Sequence, residues 1–138
     1  MPNPSATVLA AFIAWTLLLL ILMEGLRARW VMTGAIAGNQ FKPDNSNLSP
    51  FMQRLARAHA NCVESLPVFG GLLVVALLTE RTDVTDGLAA WFLVARLVQS
   101  SAHLSSLSLP AVNLRFAAFA VQMAIGAWWS WGLLCGCC

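Results

Sequence analysis

Four apolar runs, each long enough to cross a bilayer as a helix, dominate this chain of 138 residues. A transmembrane helix needs about 20 consecutive, mostly apolar residues. The first run, Ala6 to Met23, contains no charged residue. We predict helices because lipid-exposed backbone must satisfy its own hydrogen bonds, and because no run alternates as a barrel strand does. The predicted segments are residues 6–29, 51–79, 84–107 and 111–134.

The composition supports a membrane protein. Charged residues make up 10% of the chain and hydrophobic residues 59%, whereas a soluble domain has about 25% charged residues. We therefore predict a single all-α integral membrane domain over residues 1–138, built as a bundle of four transmembrane helices. The first run lacks a basic start and exceeds a signal-peptide core, so we expect it to be retained. The net charge of +2 is too small to suggest a nucleic-acid partner.

The distribution of basic residues predicts the orientation of the chain. Most of them flank the first loop or the third connection, which lie on the same side of a four-helix bundle, whereas the opposite side has only Arg81. By the positive-inside bias, the first loop is cytoplasmic and both termini lie on the other side. The basic residues on the first side are Arg27, Arg29, Lys42, Arg54, Arg57 and Arg115.

The second predicted helix opens with charged and polar residues in "RLARAHANCVESLPVFGG", Arg54 to Gly71. On a helix, Arg57, Asn61 and Glu64 share one face within about 60°, and His59 points to the far side. Each charge in hydrocarbon costs at least ~2.5 kcal/mol, so this face must be covered by other helices or by water. Arg54 lies within about 80° of the same face.

The third predicted helix has a second polar stripe, in "ARLVQSSAHL". Its members fall within about 100° of arc on an otherwise apolar helix. Two polar stripes on neighbouring helices imply a shared site or a polar interface. The stripe consists of Arg96, Gln99, Ser100 and His103.

A structural alternative is an ion pair between Arg57 and Glu64, bridged by Asn61. Such a pair needs one partner for each charge, whereas arginines outnumber glutamates in and beside the predicted helices. The excess indicates a bound anion, either a lipid phosphate or a carboxylated ligand. The glutamates are Glu24 and Glu64, and the arginines are Arg27, Arg54, Arg57, Arg96 and Arg115.

The segment "RLARAHANCVESLP" resembles the signature of the MAPEG superfamily, the membrane-associated proteins in eicosanoid and glutathione metabolism. The second helix of that family carries the pattern R-x-x-R-A-H-x-N-x-x-E-x-x-P, and the resemblance is to its microsomal glutathione transferase type. It extends along the chain, with "RAR" closing the first helix, "AR" in the third and an arginine at the start of the fourth. The matching residues are Arg54, Arg57, Ala58, His59, Asn61, Glu64 and Pro67.

The resemblance implies a homotrimer of four-helix subunits, with glutathione bound between adjacent subunits at a site open to the cytoplasm. By position, it assigns glutathione contacts to Arg27, Arg57, Asn61 and Glu64. It also assigns thiolate stabilisation to Arg115. Guanidinium groups suit this role because they bind carboxylates through paired hydrogen bonds, and because a fixed cation favours the nucleophilic thiolate.

The chain departs from the family pattern in the third helix, where many relatives carry A-R-x-x-H-x-x-x-Y. Here Gln99 and His103 occupy the histidine and tyrosine positions, and the chain contains no tyrosine. Ala60 stands where animal enzymes of the family usually have an arginine. We therefore place Gln99 and His103 among the glutathione contacts, with His103 able to donate or accept a hydrogen bond.

Other motif residues have structural interpretations. We expect His59 to bond a backbone carbonyl or a neighbouring subunit, and Pro67 to kink its helix by leaving the carbonyl of Val63 without a partner. Arg54 and Arg96 complete the motifs. We interpret Cys62 as a small buried residue. The terminal cysteines lack the partner ligands of a zinc site, so we predict no metal and interpret them as an incidental tail; they are Cys135, Cys137 and Cys138.

Three functions fit these features. The first is a glutathione-dependent membrane enzyme, either a transferase acting on lipophilic electrophiles or a lipid hydroperoxide peroxidase. The second is a non-catalytic lipid-binding member of the same fold, like the lipoxygenase-activating protein, which the lost tyrosine and arginine favour. The third is a structural subunit of a larger membrane complex, for which Gly70 and Gly71 offer a docking face.

Overall fold

A computed structural model describes residues 2–136, and these residues form four long helices and no β-strand. We label them α1 (Pro4–Met32), α2 (Pro50–Leu78), α3 (Asp86–Ser105) and α4 (Leu109–Cys135). The prediction of an all-helical membrane protein is confirmed, and each helix end lies within three residues of its predicted position. The terminal Cys137 and Cys138 lie outside the described residues.

Proline and a polar cap set the start of α1 and of α2. Asn3 precedes Pro4, and its Oδ1 accepts a hydrogen bond from the backbone N–H of Ala6 at 3.1 Å. Ser49 precedes Pro50 in the same way, capping α2. Proline suits the first helical position because its missing N–H has no partner there in any case, and the caps satisfy one of the N–H groups that follow.

Helix α2 is interrupted by a π-helical turn, Leu66–Gly70, which separates the α-helical segments Pro50–Ser65 and Gly71–Leu78. The turn lies where the sequence places Pro67. Because proline has no N–H, regular α-helical bonding fails there, and the backbone widens to the looser pattern of a π turn.

Three of the helices in residues 2–136, α1, α2 and α4, are long and apolar enough to cross a membrane by length and composition. Helix α3 falls outside that group, although the sequence predicts a span at 84–107. The mean hydropathy of α3 is lower because polar side chains, instead of apolar ones, occupy its buried face. A short 3₁₀ turn, Thr82–Val84, precedes it. The polar residues on the buried face of α3 are Arg96, Gln99 and Ser100.

Hydrogen bonds between distant segments define one end of the bundle. The hydroxyl of Ser5, at the start of α1, donates to the carboxylate of Asp86 at 2.6 Å. The guanidinium of Arg81, between α2 and α3, donates to the backbone carbonyls of Gly132 and Leu133, each at 2.7 Å. The helices therefore alternate in direction, and the long loop of residues 33–49 lies at the opposite end.

The loop end is fastened by Arg27, near the end of α1. Its Nε and Nη2 atoms both donate to Oδ1 of Asn45, at 3.0 and 2.6 Å. The amide nitrogen of Asn45 donates in turn to the backbone carbonyl of Met52, in the first turn of α2, at 2.8 Å. Asn45 is buried and has a left-handed backbone, with φ of 55°. Asn45 thus links the loop to both α1 and α2, and Gln53 of α2 adds bonds to the loop carbonyls of Ser46 and Leu48.

Aromatic rings fill the bundle core away from the loop. The Phe92 ring lies 5.6 Å from Phe12, 4.9 Å from Phe69 and 5.6 Å from Trp129, measured between ring centroids. All four rings are at most 5% exposed. They come from α1, α2, α3 and α4, so this cluster fixes the rotation of all four helices. Gly126 of α4 lies directly against Phe69.

Candidate functional site

Polar side chains of α2, α3 and α4 meet inside the bundle in the half nearer the loop. Side-chain hydrogen bonds join these helices in pairs. Within the described helices, only Asn61 of the polar stripe predicted on α2 reaches the stripe predicted on α3, and α4 adds further polar groups. The interhelical pairs are Asn61 with Arg96, Cys62 with Ser100, Gln99 with Gln122, and His103 with Arg115.

Arg96 lies at the centre of this region and is fully buried. Its Nη1 atom donates to Oδ1 of Asn61 at 2.5 Å, and its guanidinium carbon lies 5.3 Å from the centre of the Phe12 ring. Its Nε and Nη2 atoms have no hydrogen-bond partner among residues 2–136. A buried cation supported by an amide and a ring face, with no carboxylate, creates a positive field in the bundle interior.

Gln122 of α4 belongs to the cluster, and the sequence analysis missed it. It is fully buried, and its Nε2 atom donates to Oε1 of Gln99 at 2.8 Å. The signal for it is weak but present, because Arg115 and Gln122 are seven residues apart and so share a face of α4. The contact turns the amide oxygen of Gln99 inward, toward α4 rather than toward α2.

His103 and Arg115 form a pair near the loop end, with 3.0 Å between Nδ1 and Nη1. A guanidinium can only donate, so Nδ1 accepts and the ring proton lies on Nε2. The structure thus brings His103 and Arg115 together, two residues that the sequence places at separate positions of the family pattern.

The face of α2 that carries Arg57 and Glu64 is not covered by any other helix of the chain. Both side chains are exposed, and neither forms a hydrogen bond or ion pair within residues 2–136. The alternative of a structural ion pair between them is therefore wrong for the single chain. Asn61, between them on the same face, is half-buried.

Arg57 lines a cavity of about 220 Å³ between the loop and α2. Asp44 lines it too, and the backbone N–H of Ser46, which donates to Asp44 at 3.0 Å, lowers the pKa of that carboxyl. The two charges share the cavity without forming an ion pair. The remaining lining residues are Pro43, Ala56 and Ala60.

Arg27, Arg54 and His59 lie outside this region. The guanidinium of Arg27 is engaged with Asn45 and with Glu24, at 2.8 Å, so the structure does not bring it to Arg57 within one chain. Arg54 donates through Nε to the backbone carbonyl of Leu104 at 2.9 Å, linking α2 to the end of α3. His59 is half-buried on the opposite face of α2.

The charges of the site are unbalanced. Within residues 2–136 the one ion pair joins Glu24 to Arg27. The other arginines of α2, α3 and α4 have no carboxylate partner, and this excess favours an anionic ligand. No group of three or more His, Cys, Asp or Glu side chains in the described part of the chain could hold a metal ion. The unpaired arginines are Arg54, Arg57, Arg96 and Arg115.

The comparison with known proteins adds one finding. The model of the MAPEG family matches residues 5–135. No curated protein and no solved structure matches the chain. The matched region runs from the start of α1 to the end of α4 and includes every polar side chain of the site. The chain therefore belongs to the MAPEG family.

Proposed function

We propose that this chain is a glutathione-dependent membrane enzyme. It activates the glutathione thiol as a thiolate, which attacks a lipophilic electrophile or a lipid hydroperoxide. The observation that carries the proposal is the set of arginines without ion-pair partners, of which Arg115 lies 3.0 Å from Nδ1 of His103. The family includes glutathione transferases and enzymes of lipid metabolism, which agrees with such a role.

The α2 face supplies the binding groups. Glutathione carries two carboxylates and an ammonium group. Arg57 is exposed and unpaired, so it is available to bind a carboxylate through two parallel hydrogen bonds. Glu64, two turns along the same face, accepts from the ammonium or from an amide N–H. Gln99 is a weaker candidate, since its amide oxygen is already bonded to Gln122.

Arg115 is the catalytic group in this proposal, with His103 as its partner. A fixed cation beside the sulfur stabilises the thiolate, so the thiol proton passes to solvent before the sulfur attacks. Attack on an electrophilic carbon expels its leaving group; attack on a hydroperoxide breaks the O–O bond and releases the alcohol, and a second glutathione then converts the oxidised sulfur to the disulfide and water. The contact with Nδ1 of His103 holds the guanidinium in place and leaves the Nε2–H as a donor. In this way His103 supplies a hydrogen bond of the kind that a tyrosine hydroxyl would give at its position.

The exposed α2 face also supports an oligomer. Charged side chains cannot face hydrocarbon, so Arg57 and Glu64 require water or another subunit against them. We propose the homotrimer of the family, with glutathione between subunits and Arg27 completing the site from a neighbour. We further propose that α3 is a fourth span, sheltered by the other helices, and that the loop of residues 33–49 is cytoplasmic, with both termini opposite.

A non-catalytic lipid-binding function is the second candidate, and an apolar groove between α3 and α4 favours it. The groove has a volume of about 250 Å³ and is lined by apolar residues of both helices. A bound acyl chain would fit its lining, which includes Trp91, Val98, Leu114 and Val121. For the structural-subunit hypothesis the two glycines differ, because Gly70 is buried against Leu9 and Leu66 whereas Gly71 is half-buried with nothing within 4 Å of an added Cβ.

The test is a glutathione titration of the purified protein in detergent, followed by the ultraviolet absorbance of the thiolate. We expect binding with a thiolate signal that Arg115→Ala abolishes. Arg29→Ala is the matched control, because Arg29 is exposed at the end of α1, away from the site. Binding without thiolate would refute the catalytic role of Arg115. Absence of binding would leave the lipid-binding function, tested by retention of a labelled fatty acid.

A further inference from the structure

We propose that Arg96 is a positioning residue, which fixes the side-chain amide of Asn61 so that its NH₂ group faces the ligand. Asn61 then donates a hydrogen bond to an acceptor oxygen of the ligand. This inference rests on the proposed function, because it specifies how the same site recognises glutathione. It assigns to the buried arginine a role in selectivity without contact to the ligand.

The direction of the amide follows from the chemistry of the guanidinium group. Nη1 of Arg96 and Oδ1 of Asn61 are 2.5 Å apart. A guanidinium has five N–H donors and no acceptor, so only the amide oxygen can bond to it. Rotating the amide by half a turn would place NH₂ against N–H and remove the bond. The usual ambiguity of an asparagine amide is therefore resolved here by its partner.

The location of Arg96 suits it to orient Asn61 and not to bind the ligand. It is fully buried, so a ligand on the exposed α2 face does not reach it. The ring of Phe12, 5.3 Å from its guanidinium carbon, restricts its movement on the other side. Asn61 is half-buried and lies between Arg57 and Glu64 on the outward face. Of the bonded pair, Asn61 is thus the member that a ligand contacts.

The fixed amide gives the α2 face an ordered pattern of groups. Arg57, nearest the loop, offers a cation, Asn61 offers a neutral donor, and Glu64 offers an anionic acceptor. They are spaced by about 6 and about 4.5 Å along the helix axis, at 1.5 Å per residue. A ligand that fits presents an anion, then a neutral or anionic acceptor, then a donor. Glutathione, with carboxylates, amide carbonyls and an ammonium group, meets this requirement, whereas a small aminothiol such as cysteamine lacks both acceptors.

A double-mutant cycle on glutathione affinity tests the inference. Glutamine at position 96 can either donate or accept, so Arg96→Gln releases the amide of Asn61. We expect Arg96→Gln to weaken glutathione binding by about tenfold, the effect of one hydrogen bond to a charged group. In an Asn61→Ala background, the same change should have no further effect. Arg96→Lys, which can only donate, should retain most of the affinity.

Two further measurements separate positioning from a loss of folding. Asn61→Asp keeps an oxygen for Arg96 and removes the donor, so it should bind glutathione at least tenfold more weakly while the ligand-free melting temperature is maintained. Equal weakening by Arg96→Gln in both backgrounds, or wild-type affinity in Asn61→Asp, would overturn the inference and leave the proposed function standing. A wild-type protein that binds no glutathione would overturn the proposed function, and the inference with it.

Discussion

Gly126 of α4 provides a quantitative test of how tightly the aromatic core is packed. A Cβ atom added there would lie 2.7 Å from Cε1 and 3.2 Å from Cδ1 of Phe69. Carbon atoms in contact are about 3.5–4.0 Å apart, so one side must move. The Phe69 ring has little room, because it is 5% exposed and its centroid lies 4.9 Å from that of Phe92. We therefore expect Gly126→Ala to strain the core.

The expected magnitude combines two opposing effects. Overpacking a filled core costs about 1–3 kcal/mol, whereas replacing glycine by alanine inside a helix gains up to about 1 kcal/mol. Gly126→Ala should therefore lower the free energy of unfolding by about 1 kcal/mol. Gly25→Ala is the matched control, because Gly25 lies within α1 with nothing within 4 Å of an added Cβ. It should keep the helical gain without the clash.

The assay is unfolding in mixed micelles by titration with a denaturing detergent, with helicity followed by circular dichroism. The difference between Gly126→Ala and Gly25→Ala isolates the overpacking cost of about 1–3 kcal/mol. A second substitution, Phe69→Leu, should reduce that difference by making room for the new methyl group. Equal stability of the two alanine variants would refute the argument that Phe69 is held in place.

Two further substitutions test the ends of the bundle. Arg81→Gln removes the paired charge-assisted hydrogen bonds to the carbonyls of Gly132 and Leu133, so it should destabilise the protein by about 1–2 kcal/mol in the same assay. Arg81→Lys should give an intermediate value. Wild-type stability of Arg81→Gln would contradict this reasoning. Arg27→Gln should release Asn45 and speed limited proteolysis within residues 33–49 in the absence of ligand, whereas an unchanged cleavage rate would show that the loop is held by other contacts.

Much of the fold could be predicted from local patterns. Long apolar runs predicted the ends of α1, α2 and α4 within a few residues. The thickness of the bilayer sets the length of a span, and backbone groups in lipid must form their hydrogen bonds within the helix. The bounds of α3 were predicted as closely, but α3 falls outside the group of helices apolar enough to span a membrane, since its buried face is polar. The prediction of shared faces also followed from helical periodicity, as for Arg57, Asn61 and Glu64.

The pairing between helices could not be predicted, because it depends on how each helix is rotated about its axis. Nothing in the spacing joins Asn61 to Arg96, and Gln122 is a lone polar residue in an apolar run. Arg27 was assigned to the ligand by family position alone. Its bond to Asn45 depends on the left-handed backbone of that residue within an irregular loop, which periodicity does not describe.

The π turn of α2 divides that helix into two segments of different character. Pro50–Ser65, about 24 Å long at 1.5 Å per residue, carries the polar face of Arg57, Asn61 and Glu64, and Gly71–Leu78 is made of apolar residues. A wide turn lacks the regular i to i+4 bonds that make a helix a rigid rod, so twist and bend concentrate there. Phe69 of this turn also belongs to the aromatic core, with its ring centroid 4.9 Å from that of Phe92. The turn therefore connects the polar segment of α2 directly to the core, and a change in its bend would be felt by the Phe69 ring.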